Sequence, residues 1–313
     1  MGSQMTENMQ AAVSGVHPHA RRLGSVSEIT GLLSSVGYLA TEHTSTVLQL
    51  ADQLGKPILI EGPTGSGKTD LGISLAAATG TRLIRMQCYE GLDEAKALYE
   101  WNYSKQLLRI MAGRVSGWSG TGEGQDVDIF TDEYLLTRPL LDAIRATEPV
   151  ILLIDEVDRL DVEAEALLLE VLSDFQVSIP GLGTVTGAQV PMVFLTSNST
   201  RDLSEALKRR CLYLHIDYPT TPRERDILRA RVPGISEHLA GQLAAFVASL
   251  RQLDLQQVPS VSQTLEWART LLALGAQDLD AGLASDSLDT VLSNRSDVER
   301  AAAQLAAGRL GSW

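Results

Sequence analysis

The sequence predicts an α/β fold, a parallel sheet with helices on both faces, followed by a small domain that contains only helices. Short, continuously apolar segments alternate with helical patterns over residues 57–216, and this alternation is typical of buried parallel strands. Beyond residue 220 only helical patterns remain. We therefore predict a loosely held arm over residues 1–24, an α/β domain over 25–220 and a helical domain over 221–313.

The individual elements follow from the spacing of apolar residues. A first helix is predicted over Ser45–Leu54, where apolar residues recur at helical spacing, and Gly55 ends it. The predicted strands are Pro57–Ile60, Arg82–Cys88, Val150–Ile154, Val190–Thr196 and Tyr213–Ile216. The predicted helices of the C-terminal domain are Arg223–Arg231, Ser236–Leu250, Ser262–Leu274 and one near Asp297–Ala307.

Composition and charge restrict the class of protein. With 44% hydrophobic and 21% charged residues, the chain has the composition of a folded globular protein. The 39 acidic residues outnumber the 26 basic ones, so the net charge of −13 makes nucleic acid an unlikely partner. Cys88 and Cys211 have no Cys or His nearby at metal-ligand spacing, which favours a reduced, cytoplasmic location. No apolar run approaches the ~20 residues of a membrane span.

Residues 62–69 read GPTGSGKT and lie between an apolar strand and a helical pattern over Asp70–Ala78. This is the pattern of a phosphate-binding loop in the strand, loop and helix context that the motif requires. A chance match in a glycine-containing turn is the alternative, and this context argues against it. We expect Lys68 to reach the β- and γ-phosphates and the Thr69 hydroxyl to bind Mg²⁺. The predicted nucleotide contacts are Gly62, Pro63, Thr64, Gly65, Ser66, Gly67, Lys68 and Thr69.

Two carboxylates follow the apolar strand Val150–Ile154 directly. Ligands of open parallel sheets bind at the carboxyl ends of the strands, which is where Asp155 and Glu156 stand. We expect Asp155 to bind or support Mg²⁺ and Glu156 to polarise a water for attack on the γ-phosphate. The alternative interpretation is that Asp155 and Glu156 are solvated charges at the end of a strand. The phosphate loop earlier in the sequence favours the functional interpretation over this one.

Three further residues complete a hydrolytic site in the sequence. Asn198 follows another strand, where a polar amide can hold the attacking water. Arg209 and Arg210 end a short helical pattern. They either interact with the dipole of that helix or supply an arginine finger to the γ-phosphate of a neighbouring subunit.

The order of these motifs resembles that of the AAA+ ATPases, and more narrowly of the MoxR group. The similar segments are LIEGPTGSGKT (Leu59–Thr69), LLIDEVDR (Leu152–Arg159), LLEVLSDFQVSIPGLGT (Leu168–Thr184) and ALKRRCLYLHIDYP (Ala206–Pro219). Two others, GLDEAKALYEWNYSKQLLR (Gly91–Arg109) and VPSVSQTLEWARTL (Val258–Leu271), resemble the subgroup encoded with molybdenum hydroxylases such as carbon monoxide dehydrogenase.

The resemblance implies a P-loop NTPase fold with a helical lid, ATP and Mg²⁺ as cofactors, and a ring of identical subunits, usually a hexamer. It also implies a von Willebrand A-domain partner and a molybdenum hydroxylase as the protein client. The roles it carries over are phosphate and Mg²⁺ binding for Lys68 and Thr69, metal and water for Asp155 and Glu156, sensor 1 for Asn198, and trans fingers for Arg210 with Arg209.

Three features depart from or extend the family pattern. Many AAA+ proteins have a sensor-2 Arg near the start of the helix that here begins at Ser260, but no Arg occurs there before Arg269. Either Arg269 reaches the phosphates, or sensing is shared with the trans arginines. Gly113–Gly124 has five glycines in twelve positions and resembles an insert that faces a client, although an ordinary surface loop is equally compatible. Phe175–Thr186 alternates about Pro180-Gly181 and is predicted to form a hairpin.

The function predicted from these motifs is an ATP-driven chaperone that remodels or activates a protein client. A nucleic-acid motor or loader is the first alternative, and the negative charge weighs against it. A nucleotide-bound scaffold with little turnover is the second. It has no need of the water-activating carboxylate that Glu156 provides.

Overall fold

The structure, a computed structural model, describes residues 23–116 and 128–310. The predicted arm over residues 1–24 lies outside these ranges except for its last two residues. In the glycine-rich segment, residues 117–124 also lie outside them, whereas residues 113–116 are the end of a helix.

The described chain contains the following elements in order. Before the phosphate loop come α1 (Val26–Ser35), α2 (Glu42–Leu54) and β1 (Ile58–Glu61). The next group is α3 (Lys68–Thr79), β2 (Arg82–Gln87), α4 (Glu94–Ala97), β3 (Tyr99–Trp101), α5 (Tyr103–Ser116), β4 (Leu135–Thr137) and α6 (Pro139–Arg145). Then follow β5 (Val150–Asp155), α7 (Val162–Asp174), β6 (Gln176–Ile179), β7 (Gly183–Thr186), β8 (Met192–Ser197), α8 (Glu205–Arg210) and β9 (Leu212–His215). The chain ends with α9 (Thr221–Arg231), α10 (Glu237–Leu250), α11 (Val261–Ala273), α12 (Ala281–Asp286), α13 (Leu288–Val291) and α14 (Arg295–Ala306).

The main sheet has the strand order β2-β5-β8-β1-β9, which confirms the predicted fold class. Its register is parallel where β2 pairs with β5, from Arg82 opposite Val150 to Gln87 opposite Asp155. All six residues of β5 and all six of β8 are buried, as expected for central strands that are covered on both faces. The two antiparallel pairs are β3 with β4 and β6 with β7, and the second confirms the hairpin predicted over Phe175–Thr186.

The chain divides into two compact units that do not follow the order of the sequence. The first contains Thr46–Leu59, Gly80–Tyr213 and the residues up to Ser25. The second contains Val26–Ser45, Ile60–Thr79 and the chain from Leu214 onward. The phosphate loop therefore belongs to the second unit, and the Asp-Glu strand to the first. The predicted domain boundaries at residues 24 and 220 stay predictions.

Each unit has its own hydrophobic core. In the first, the apolar side chains of β5 and β8 pack with those of α6 and α7. In the second, Trp267 of α11 is fully buried in a cluster with apolar side chains of α9 and α10, and its indole N–H donates to Ser287 Oγ at 2.8 Å. In the part of the chain that the structure describes, no helix combines the length and apolarity needed to cross a membrane.

A buried ion pair joins the helices of the second unit. Arg251 and Glu224 have side chains that are 8% and 1% exposed, and Arg251 Nη2 lies 2.8 Å from Glu224 Oε1. The Thr264 hydroxyl donates to the same carboxylate at 3.0 Å, and Arg251 Nε donates to the Pro259 carbonyl at 3.0 Å. Arg251 thus joins α9 to the segment that leads into α11.

Removing Arg251 is expected to destabilise the protein strongly. Arg251→Ala leaves the Glu224 carboxylate buried without its cation, and such a change costs about 3–5 kcal/mol. As a control, Arg225→Ala removes an exposed pair with Asp226 and is expected to leave the unfolding midpoint nearly unchanged. Denaturant unfolding monitored by circular dichroism measures both. Equal shifts of the two midpoints would contradict this role of Arg251.

Candidate functional site

The phosphate loop has a backbone shape that only glycine fits at two positions. Gly65 has φ +77°, and a Cβ built there would lie 2.1 Å from Ser260 Cβ. At Gly62, a Cβ would lie 2.0 Å from the Ile216 carbonyl oxygen. Both distances are too short for any side chain. Gly62 and Gly65 therefore allow the loop to lie directly against Ile216, which follows β9, and against Ser260, which precedes α11.

Lys68 begins α3 and is only 6% exposed. Its Nζ donates to the carbonyl oxygens of Gly62 and Pro63, each at 2.8 Å, so the ammonium group is held inside the loop. The Ser66 hydroxyl is buried and has no hydrogen-bond partner among the described residues. A cation at the start of a helix beside an unsatisfied hydroxyl fits a phosphate group.

A cavity of about 350 Å³ adjoins the loop within the same unit. It is bounded by Ser66 and Gly67 of the loop, by the segment before α2, by residues that follow β9 and by the start of α11. Tyr218 donates its hydroxyl hydrogen to the Thr64 carbonyl at 2.9 Å, and the Val261 N–H donates to the Gly65 carbonyl at 3.1 Å. These bonds hold the loop as one wall of a cavity large enough for a nucleoside.

Asp155 ends β5 in the first unit, where it is 2% exposed. Its Oδ1 accepts a hydrogen bond from the Thr196 hydroxyl at 3.0 Å, and its Oδ2 lies 2.7 Å from Nε of Arg85. Carboxylate oxygens are the ligands that Mg²⁺ prefers, so this side chain fits the predicted metal role.

Glu156 has an unusual backbone conformation, with φ +58° and ψ +50°. Its N–H donates to the Thr196 hydroxyl at 3.0 Å, so Thr196 contacts both acidic residues. Its Oε2 accepts hydrogen bonds from Gln87 at 2.9 Å and from Arg159 at 2.8 Å. Backbone conformations of this kind are typical of functional positions, and the Glu156 carboxylate contacts Gln87 at the end of β2.

Residues 57–211 match the family model described as the AAA domain of the dynein-related subfamily. Over these residues the chain is similar to an AAA domain. It is also similar to proteins described as uncharacterized in staphylococci. It is 29% identical to one from Staphylococcus haemolyticus strain JCSC1435 over 210 residues, which are 65% of this chain and 71% of the relative. It is likewise 29% identical over 229 residues to one from Staphylococcus aureus strain USA300, covering 71% and 77% of the two chains.

Solved structures similar to the chain include RuvB of Thermotoga maritima, described as a Holliday junction branch migration motor. The match has a TM-score of 0.45 and 18% identity, and it covers 86% of this chain and 72% of RuvB. A point mutant of the same RuvB matches with a TM-score of 0.46 and 17% identity, covering 86% of this chain and 73% of the mutant.

Asn198 lies directly after β8, within the segment that is similar to an AAA domain, and it is half-buried. Its backbone N–H donates to the Asp158 carboxylate, as do the N–H and hydroxyl of Thr200, at 3.0 and 2.6 Å. Burial alone would raise the pKa of Asp158, but these donors lower it below its usual value. The segment that carries Asn198 is thereby fixed to the segment that follows Glu156.

A second buried carboxylate, Glu165 on α7, supports the segment before α8. Its two oxygens accept hydrogen bonds from Ser204 N–H at 2.7 Å and from the Arg201 guanidinium at 2.9 Å. Burial raises the pKa of Glu165, and these two partners more than offset that effect, so the pKa lies below its usual value. Cys88 directly follows β2, and burial together with the nearby Asp155 raises its pKa to about 12.

Arg209 and Arg210 occupy the last turn of α8, and both are exposed. Arg210 Nη1 donates to the Leu169 carbonyl at 2.8 Å. Arg209 forms no hydrogen bond or ion pair with another residue in the described ranges. Arg269, the candidate replacement for the sensor-2 Arg, is exposed and does not line the cavity. Its Nη2 donates to the Arg231 carbonyl at 3.5 Å.

The structure thus forms two groups of site residues. Lys68 and the phosphate loop belong to one unit, and Asp155, Glu156 and Asn198 belong to the other. Sequence analysis missed the polar partners of the acidic residues, which are Arg85, Gln87, Thr196 and Thr200. For Arg85 and Gln87, the alternation of polar and apolar residues along β2 was the sequence signal that could have indicated them.

Proposed function

We propose that the protein hydrolyses ATP in the presence of Mg²⁺ and uses the energy to remodel a protein client. The observation that carries the proposal is the pair of carboxylates at the end of β5, with Asp155 buried and Glu156 held by polar partners. A protein that only binds nucleotide has no use for a second carboxylate placed to act on water.

In this proposal the phosphate loop binds the nucleotide. Loop N–H groups and the Lys68 ammonium contact phosphate oxygens, while the Thr69 hydroxyl and Asp155 hold the metal. Mg²⁺, when bound, would neutralise negative charge on the phosphates. Glu156 orients the attacking water and accepts its proton, and Asn198 keeps the water in line.

The proposed client is a protein. The net charge of −13 opposes general binding to nucleic acid. On helix α5 a polar side chain is buried and an apolar one is exposed, the reverse of the usual arrangement. Gln106 is 4% exposed, whereas Leu108 is 68% exposed. Tyr103, Leu107 and Met111 are exposed on the same side of the helix. Apolar surface of this kind is typical of protein contacts.

We further propose membership of the MoxR group and a role in maturing a molybdenum hydroxylase, together with a von Willebrand A-domain partner. Support comes from the family motifs over Leu59–Pro219 and from the AAA domain. AAA+ ATPases commonly form rings, so we propose a homo-oligomeric ring, a hexamer, in the cytoplasm.

Stimulation of hydrolysis tests the client class. The purified protein is assayed for ATPase activity with the proteins of neighbouring genes, with single-stranded DNA and with duplex DNA at physiological salt. We expect stimulation by a neighbouring gene product. Strong stimulation by DNA, with none by those proteins, would identify a nucleic-acid motor instead.

Deleting residues 117–124 is expected to spare basal ATPase activity and remove stimulation by the client. The deleted residues follow α5 and contain none of the proposed nucleotide contacts. A segment can respond to nucleotide only if its contacts differ between nucleotide states, so we expect client coupling to be lost while hydrolysis remains. The control replaces the segment with serines at equal length. Unchanged stimulation in the deletion variant would contradict the assignment.

The client itself provides an independent test. The molybdenum hydroxylase purified from cells that lack this protein is expected to be folded but deficient in its mature metal centre. Metal analysis and the thermal melting curve measure these two properties separately. A fully active hydroxylase from such cells would exclude a role in its maturation.

A further inference from the structure

An ion pair lines the cavity beside the phosphate loop. Arg231, the last residue of α9, places Nη2 3.2 Å from Oδ1 of Asp70. Asp70 follows the predicted Mg²⁺ ligand Thr69 in the first turn of α3. Both side chains of the pair border the cavity, and both remain partly exposed to it. All of these residues belong to the second unit.

The backbone around Arg231 fixes where its side chain runs. Gly37 has φ +79°, and a Cβ built there would lie 2.9 Å from Arg231 Cδ. The side chain therefore passes over a position that has to lack a Cβ. At the other end, the Arg231 carbonyl accepts the bond from Arg269. Arg269 itself does not border the cavity.

The guanidinium group of Arg231 has unused capacity. It carries five N–H donors, and among the described residues its hydrogen bond and ion pair are with Asp70 alone, through one of them. Arg223, another arginine that borders the cavity, also uses one donor, to the Leu39 carbonyl. Arg231 differs from it in being paired with a carboxylate of α3, and its remaining donors are available to an anionic ligand.

The Asp70 carboxylate lies where it would repel an anionic ligand bound at the start of α3. A phosphate bound at the start of α3 meets the Asp70 carboxylate as a like charge one residue after Thr69. Arg231 can offset this repulsion or can exchange the carboxylate for the phosphate. A guanidinium fork binds phosphate with two hydrogen bonds, which is more favourable than one bond of 3.2 Å to a partly exposed carboxylate.

We infer that Arg231 is a nucleotide-binding residue, which exchanges Asp70 for a phosphate of the bound nucleotide. The inference rests on the proposed ATP site. Many AAA+ proteins have a sensor-2 Arg at the position where α11 starts, and this chain has none there. The inference gives the phosphate-contacting role to Arg231, at the end of α9, instead. Lid and phosphate loop are joined by the ion pair before nucleotide binds, and by the nucleotide afterwards.

Substitution of the two partners separates this role from a structural one. Equilibrium dissociation constants for ADP and ATP are measured by calorimetry on the full chain, and melting temperatures are measured without nucleotide. Arg231→Ala is expected to weaken nucleotide binding by about 10- to 100-fold, the effect of losing hydrogen bonds to a charged group. Asp70→Asn is expected to tighten binding several-fold, since it removes both a competitor and a like charge. Both variants lose the same ion pair in the absence of nucleotide.

Controls keep the result interpretable. Arg229 lies two residues before Arg231 on α9 and forms a surface ion pair with Glu237. Arg229→Ala removes that pair and is expected to leave both dissociation constants unchanged. Arg231→Lys keeps the charge without the fork and is expected to bind with intermediate affinity. Weaker binding by both Arg231→Ala and Asp70→Asn would show a purely structural latch, and unchanged binding by Arg231→Ala would exclude the contact. Failure of the unmodified chain to bind nucleotide would instead refute the proposed function.

Discussion

Lys68→Ala is expected to abolish nucleotide binding, whereas Glu156→Gln retains binding and stops hydrolysis. The Lys68 ammonium is held inside the phosphate loop, where we propose that it contacts the phosphates in the ground state. In the proposed mechanism Glu156 acts only on the water, so its loss is expected to affect the transition state rather than the bound state. Calorimetry with ATP measures binding, and phosphate release under saturating ATP measures hydrolysis.

The amide in Glu156→Gln also preserves the shape of the side chain and keeps an oxygen for the Gln87 and Arg159 donors. Folding is therefore expected to survive, and unchanged melting temperatures serve as the control. Equal loss of ATP affinity in the two variants would contradict the division of roles between Lys68 and Glu156.

Arg210→Ala is expected to reduce ATP turnover by about 10³–10⁵-fold, the effect measured for arginine fingers that act across a subunit boundary. The exposure of α8's last turn is compatible with a contact to another subunit. Arg209 is the second candidate, because its guanidinium has no partner within residues 23–116 and 128–310. Arg209→Ala is therefore measured in parallel.

Mixed rings distinguish action in trans from action in cis. Glu156→Gln subunits and Arg210→Ala subunits are each inactive, but a mixture creates interfaces that combine an intact Glu156 with an intact Arg210. Partial recovery of turnover is expected, provided that subunit exchange is verified by labelled chains. Turnover no greater than the sum of the separate variants would place the arginine in cis.

The sequence was most informative where function depends on contiguous residues. The phosphate loop and the strand that ends in Asp155 are recognisable because a local pattern sets both the backbone shape and the chemistry. The five strands of the main sheet were predictable for the same reason, since burial on both faces demands continuous apolar segments. The three-residue strands β3 and β4 were not predicted, because they are too short for any periodicity.

Contacts between distant residues could not be predicted from patterns. Gln87 and Glu156 are 69 positions apart, and Asp70 and Arg231 are 161 positions apart. The residues of each pair come into contact only because strands or helices pack together. No local sequence pattern therefore indicates the role of either partner. The sequence likewise raised the question of Arg269, but only the packing of α9 shows that Arg231, and not Arg269, borders the cavity.

The chemical environment of the two cysteines makes the protein well suited to site-specific labelling. Burial raises the pKa of Cys88 and of Cys211 to about 12, so at neutral pH both thiols stay almost entirely protonated. Maleimide and iodoacetamide reagents attack thiolates, and both native cysteines are therefore expected to react slowly. A single cysteine introduced on an exposed helix, such as at Arg229, would carry a fluorophore or spin label with little background. Movements of α9 during the ATPase cycle could then be followed without first removing the native cysteines.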